Sequence, residues 1–208
     1  MCYICIMPVI QTSDRIANVA TRLLLTRGVR DMSLTDVAFD AGVTRVTVHR
    51  YCRDKKGLVR LVLQRVAGMF QKAAVEEKPD SIEAIDGRLH VLGQELALLP
   101  NEHFLARFDE IKRLYPDVYE EFRAAEREAI NRIFDQVLAV VTKQQSLRAG
   151  INLEVLKTIF WASTVGLLEV PSLISSNVSL AEIFTTVSEV FRHGILKEVP
   201  RGGDHNAV

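Results

Sequence analysis

Cysteine is scarce in this 208-residue chain, with three residues at positions 2, 5 and 52. Cys2 and Cys5 form a C-x-x-C, but no Cys/His pair at zinc-finger spacing follows. A disulfide framework and a zinc module are therefore not expected, and the thiols read as free in a reducing cytoplasm. No uncharged apolar run approaches the length of a membrane-spanning helix, so a cytoplasmic protein without membrane contact is expected. The opening MCYICIMPVI is apolar but lacks both a basic n-region and a small-residue cleavage site, which argues against a signal peptide. Residues 1–10 are expected to form a disordered leader, and 199–208 a disordered tail. Internal repeats, low-complexity tracts and the alternating pattern of β-branched strands are missing as well. So are the G-x-S-x-G, Walker A and H-E-x-x-H motifs and the Glu-x-x-His pair of a di-iron bundle. No enzyme, metal or cofactor is expected, and a helical-bundle enzyme is kept only as an alternative.

Net charge is also absent: 26 Lys/Arg balance 26 Asp/Glu. The balance hides a polarity. Residues 11–65 hold eleven Lys/Arg against five Asp/Glu, a net of +6, whereas residues 66–208 hold fifteen against twenty-one, a net of −6. A basic head on an acidic body is the asymmetry expected of a nucleic-acid-binding module joined to a different kind of domain. With 48% apolar residues the chain can bury a sizeable core.

Apolar residues recur at three- and four-residue spacing almost throughout, which predicts an all-α fold. A first helix starts near Thr12 or Ser13 and stops at Gly28. A second starts at Ser33, carries the stripe Leu34, Val37, Ala38 and Ala41, and stops at Gly42. A third follows at once, with Thr44 as N-cap. At 100° per residue, Thr44, Val48 and Tyr51 fall on one side of it. Arg45, Val46, His49 and Arg50 cover the opposite arc, with Thr47 at its edge. A helix of about two turns, reached through a glycine turn and carrying donors on its outer face, is the anatomy of a helix-turn-helix.

The run SLTDVAFDAGVTRVTVHRYCRDKKGL resembles the DNA-binding signature of TetR-type transcriptional regulators, roughly T/S-x-x-x-I-A-x-A-A-G-V-S-x-x-T-x-Y-x-Y-F-x-x-K-x-x-L. The matching positions are Ser33, Val37, Ala38, Ala41, Gly42, Val43, Thr44, Thr47, Tyr51, Lys55 and Leu58. Departures are Asp40 for a usual Ala, Val46 for a frequent Gly, His49 for a usual Tyr and Cys52 for a usual Phe. Phe39 occupies a commonly exposed position. Arg45, Val46, His49 and Arg50 are the candidates for reading bases, although Arg50 could instead bridge to Asp54. Ser33, Thr44, Thr47, Tyr51 and Lys55 are the candidates for phosphate contact.

Further helices are expected over about 56–76, 81–99, 102–113, 116–143, 153–174 and 180–197, with Pro171 kinking or ending the penultimate one. The resemblance implies a helix-turn-helix DNA-binding domain over 11–58 and an effector-binding and dimerisation domain over 59–198. Its implied partners are double-stranded operator DNA, a small-molecule effector and a second copy of the chain. The last two helices carry more apolar surface than one face needs, Ile159 and Val190 included. Phe160, Leu167, Leu168, Phe184, Val187 and Phe191 are the candidates for the dimer interface. An effector cavity is expected between the helices at 81–99, 116–143 and 153–174. Its candidate walls are Phe104, Phe108, Phe122 and Trp161, with His90, Gln94 and Thr164 to orient a ligand. The reading is a DNA-binding regulator, in the first place a repressor released by a mostly apolar effector. An effector-independent architectural DNA binder is the alternative.

Overall fold

The computed structural model describes residues 11–74, 79–100, 103–167 and 170–196. The expected leader and tail, with Cys2 and Cys5, lie outside them. The described residues form helices and no β-strand: α1 Thr12–Arg27, α2 Leu34–Asp40, α3 Arg45–Cys52, α4 Lys55–Ala73, α5 Ile82–Ala97, α6 Phe104–Leu114, α7 Pro116–Lys143, α8 Leu153–Gly166, α9 Pro171–Ile174 and α10 Leu180–Ile195. Where one helix was expected over 153–174, the chain makes two, because Pro171 opens α9 as its first residue and has no N–H with which to continue α8.

Local chemistry sets the head. Ser33 and Asp36 form a full capping box: the Ser33 hydroxyl accepts from the Asp36 amide at 3.2 Å, and the Asp36 carboxylate accepts from the Ser33 amide at 3.0 Å. Thr44 caps α3 by accepting from the Thr47 amide at 3.1 Å. Between α2 and α3 the chain turns at Gly42, with φ +63°. Asp40 is explained by a 2.8 Å ion pair with Arg22, which ties α2 to α1.

The passage from α3 to α4 is tighter still. Arg53 adopts a positive φ of 62°, and the Asp54 carboxylate caps α4 by accepting from the Gly57 amide at 2.7 Å. A side chain at Gly57 would place its Cβ 1.8 Å from the Cys52 carbonyl oxygen. Only glycine lets the first turn of α4 lie against the last turn of α3.

One apolar core runs from head to body. It joins Ile16, Leu24 and Val48 of the head to Leu58, Leu63 and Val66 of α4, and continues to Leu92, Ile111 and Ala129. The boundary expected between residues 58 and 59 falls inside α4, a continuous helix that packs along α7 and touches α1, α3 and α5. Among the described residues no helix is long and apolar enough to cross a membrane.

The α3–α4 contact makes a direct prediction. Gly57→Ala should lower the unfolding free energy by about 1–3 kcal/mol through forced overpacking. Gly68→Ala, at a site on the same helix where a Cβ meets nothing within 4 Å, should raise it by up to about 1 kcal/mol through helix propensity. Urea titrations in which both variants unfold alike would contradict the tight joint.

Candidate nucleic-acid interface and a cavity in the body

The outer face of α3 is laid out as its periodicity requires. Val48 and Cys52 are buried and anchor the helix, while Arg45, Val46, His49 and Arg50 are exposed, Val46 at 78%. Among the described residues neither Arg45 nor Arg50 makes an ion pair, and Asp54 is engaged in capping α4 rather than in bridging to Arg50. Two guanidinium groups thus stand free beside an imidazole and a branched apolar side chain, a set able to address guanine edges and a thymine methyl. Tyr51, placed by periodicity on the packing side, is instead 48% exposed. Burial pushes the Cys52 thiol up, with Asp54 adding to it, which keeps the sulfur in its neutral form.

The phosphate candidates divide. The Ser33 hydroxyl donates to Asp36 at 2.6 Å, and that hydrogen bond holds the Asp36 carboxyl below its ordinary range. The N-terminus of α2 therefore carries its own anion. Thr44 and Thr47 share a hydroxyl–hydroxyl contact of 2.9 Å beside the N-terminus of α3. Lys55 donates to the Arg30 carbonyl at 2.8 Å, so its ammonium braces the loop after α1 while keeping two further protons for another acceptor. Phe39 is 86% exposed, and nothing in the structure explains it.

Two sets of polar contacts join head to body. Along the α4–α7 seam, Lys56 pairs with Asp117 at 2.6 Å and Arg60 pairs with Glu121 through two bonds of 2.8 and 3.0 Å. These hydrogen bonds hold both carboxyls below their ordinary range. At the end of α1, Arg107 of α6 donates to the Thr26 carbonyl at 3.1 Å, and Glu110 accepts from the Val29 amide at 3.2 Å. Gly28, with φ +90°, leaves room for them: a Cβ there would stand 2.5 Å from Arg107 Nη1 and 2.9 Å from Glu110 Oε2.

The body contains a cavity of about 640 Å³. It lies between α5, α7 and α10, with Phe70 of α4 at one wall and Phe160 of α8 at another. Ile130, Ile133 and Phe134 line the α7 side; Ile183, Phe184, Val187 and Phe191 line the α10 side. Phe134 stacks on Phe160 at 4.6 Å, and Phe160 meets Phe191 edge-on at 5.0 Å. Polar groups gather at the rim, where Asp86 pairs with Arg192 at 2.9 Å and His90 contacts Gln94 at 3.0 Å. Glu126, 4% exposed, is the exception within the wall.

Of the expected pocket residues, His90 and Gln94 do line this cavity, but Phe104, Phe108, Phe122 and Trp161 do not. Phe104 stacks on Phe108 at 4.5 Å and Phe108 meets Phe122 at 5.3 Å, a cluster buried in the common core. Trp161 donates to Asn131 Oδ1 at 2.8 Å and lies under the Arg127 guanidinium. The side chain of Thr164, like Leu168, lies outside the described residues. Phe160, Phe184, Val187 and Phe191, expected at a dimer interface, face the cavity, and Leu167 is half-buried against the core. The signal was legible: Leu180, Ile183, Phe184, Val187 and Phe191 form one i, i+3, i+4, i+7, i+11 stripe, and a helix turns such a stripe inward. On α8 and α10, Val155 at 55%, Ile159 at 52% and Val190 at 65% are the most exposed large apolar residues.

No protein-family model and no curated protein sequence matches the chain. Solved structures do resemble it. The fatty acid degradation regulator FadR from Bacillus halodurans superposes with a TM-score of 0.62 at 15% identity, over 88% of this chain and 95% of that one. SmeT, the repressor of the Stenotrophomonas maltophilia multidrug efflux pump SmeDEF, gives 0.57 at 15% identity, over 95% and 98%. A Rhodococcus protein described as a TetR-family transcriptional regulator gives 0.59 at 13% identity, over 88% and 97%. With a helix-turn-helix at one end of α4 and a helical body at the other, the chain has the all-α fold of the TetR-family transcriptional regulators.

Proposed function

We propose that the chain is a homodimeric transcription regulator that holds operator DNA through α3 and releases it when a small molecule occupies the cavity in the body. The observation that carries this reading is the reach of α4. Its first turn is fitted against the recognition helix at Gly57, and Phe70, near its other end, lines the cavity. At 1.5 Å per residue its 19 residues span about 28 Å. A ligand that favours one position of Phe70 over another therefore biases the position of α3, which is the differential binding that any effector needs. Repression released by ligand is the sense of regulation that fits such coupling, since a displaced pair of heads loses its match to the groove. The cavity favours this reading over an architectural DNA binder, which has no use for a mostly apolar cavity of this size.

Binding tests the head. After selection of an operator from a random library, Arg45→Ala should cost about 1–3 kcal/mol on that operator and relax one position of it. The same loss on operator and random DNA would remove Arg45 from base readout. Lys55 gives a less direct test of phosphate contact than the arginines give of base contact, because its substitution also removes the brace on Arg30.

Symmetry follows from size. One two-turn helix gives too small an interface for tight specific binding, whereas a two-fold dimer sets two heads on half-sites. The exposed apolar residues Val155, Ile159 and Val190 of α8 and α10 supply the face for a second copy, in place of the inward-facing phenylalanines. Replacing Ile159 and Val190 together by lysine should give monomers in sedimentation velocity and abolish operator binding, with the helical circular-dichroism signal unchanged. A wild-type chain that sediments as a monomer at micromolar concentration would contradict the dimer.

A further inference from the structure

The chemistry of the cavity wall selects among effectors. Among the described residues, four charged ones line the cavity: Asp86, Glu126, Glu189 and Arg192. Three of them belong to the rim, where Asp86 and Arg192 neutralise each other at 2.9 Å and Glu189 contacts His193 at 3.2 Å. Glu126 alone is buried in the apolar wall, at 4% exposure. Its protein partner is Arg123, one turn earlier on α7, which donates Nη1 to Glu126 Oε2. Arg123 is itself buried, at 5%, and does not line the cavity. Of the pair, Glu126 reaches the cavity wall and Arg123 does not.

A carboxylate offers about four acceptor sites. The Arg123 bond takes one, and Glu126 is buried yet lines the cavity. One charged partner does not offset its burial. Desolvation outweighs the pull of Arg123 and Arg127 and pushes the Glu126 carboxyl up to about 7. A donor arriving from the cavity side, above all a charged one, would supply what burial removed. An anionic head would meet the carboxylate first.

Resting on the reading of the body as an effector domain, we infer that the cavity takes a cationic amphiphile, an alkyl or arylalkyl amine whose ammonium donates to Glu126 while its apolar body lies against Ile130, Ile133, Phe134 and Phe184. The volume of about 640 Å³ lies within the range of small-molecule sites, about 300–1,000 Å³. A fatty acid of equal length is disfavoured because Arg192, the one Lys or Arg among the described residues that line the cavity, is already paired at the rim.

Three probes that share a chain and differ in head group test this: decylamine, decanol and decanoate, each below its micellar range. Titrated calorimetrically into the full-length wild-type protein in mildly alkaline buffer, decylamine should bind about tenfold or more tightly than either other probe, as one charged hydrogen bond implies. Glu126→Gln, which keeps the volume of the side chain and removes its charge, should bring decylamine to the level of decanol. Decanoate binding as tightly as decylamine in the wild type would overturn the inference without recourse to any variant. So would a folded Glu126→Gln protein that retains the preference for the amine. Because calorimetry is read without DNA, the regulatory reading fails separately: an amine that binds through Glu126 but leaves a fluorescent operator bound would contradict regulation and leave the assignment of the cavity intact.

Discussion

The rest of the structure depends on the contact between the Cys52 carbonyl and the backbone of Gly57. A helix of eight residues such as α3 is too short to hold its own position and takes its orientation from what it is packed against. Here that support is the first turn of α4, so close that no side chain fits between. The Asp54 cap and the left-handed turn at Arg53 close the two-residue connection from both ends. The face carrying Arg45, His49 and Arg50 thus moves with α4 or not at all.

What α4 can do is limited by its seam with α7 and by the grip of α6 on the end of α1. The seam is apolar in its core and held at its surface by Lys56–Asp117 and Arg60–Glu121, exposed pairs of a kind that contributes little singly. The α6 contacts are backbone ones, from Arg107 to the Thr26 carbonyl and from the Val29 amide to Glu110, and they sit over a glycine that leaves them space. Such a joint resists separation of head and body but permits small rotations, since shifting an exposed ion pair by an ångström costs little. An equilibrium between two arrangements separated by a few kcal/mol is one that a ligand of ordinary affinity can move.

The head was legible in the sequence nearly residue by residue. Its features are local: a capping box four residues long, a glycine turn, and a helix whose buried face is two residues, Val48 and Cys52. Tyr51 was the exception there, because periodicity places a residue on a face but does not say whether a neighbour covers it. The body was legible in its helices and not in its site. Phe104, Phe108 and Phe122 pack on one another, and whether an aromatic cluster closes on itself or stands open around a cavity depends on helix separations that no spacing encodes. The stripe on α10, expected at a partner copy, lines the cavity in the single chain, and the period of a stripe does not tell a cavity wall from an interface. Glu126 stands in the sequence as one of several neighbouring carboxylates on a long helix. Only burial distinguishes it from the solvated ones beside it, Glu120, Glu121 and Glu128.

The proposed coupling between the cavity and α3 is tested most directly by the distance between the two heads of the proposed dimer. A spin label at the exposed position 18 of α1, introduced as Asn18→Cys in a chain with Cys2 and Cys5 replaced by serine, reports that distance by pulsed electron resonance. Saturation of the cavity with the ligand that releases operator DNA should shift the interhead distance distribution by several ångströms, and the selected operator should draw it back. DNA release by a cavity ligand at an unchanged interhead distance would contradict the transmission of occupancy through α4.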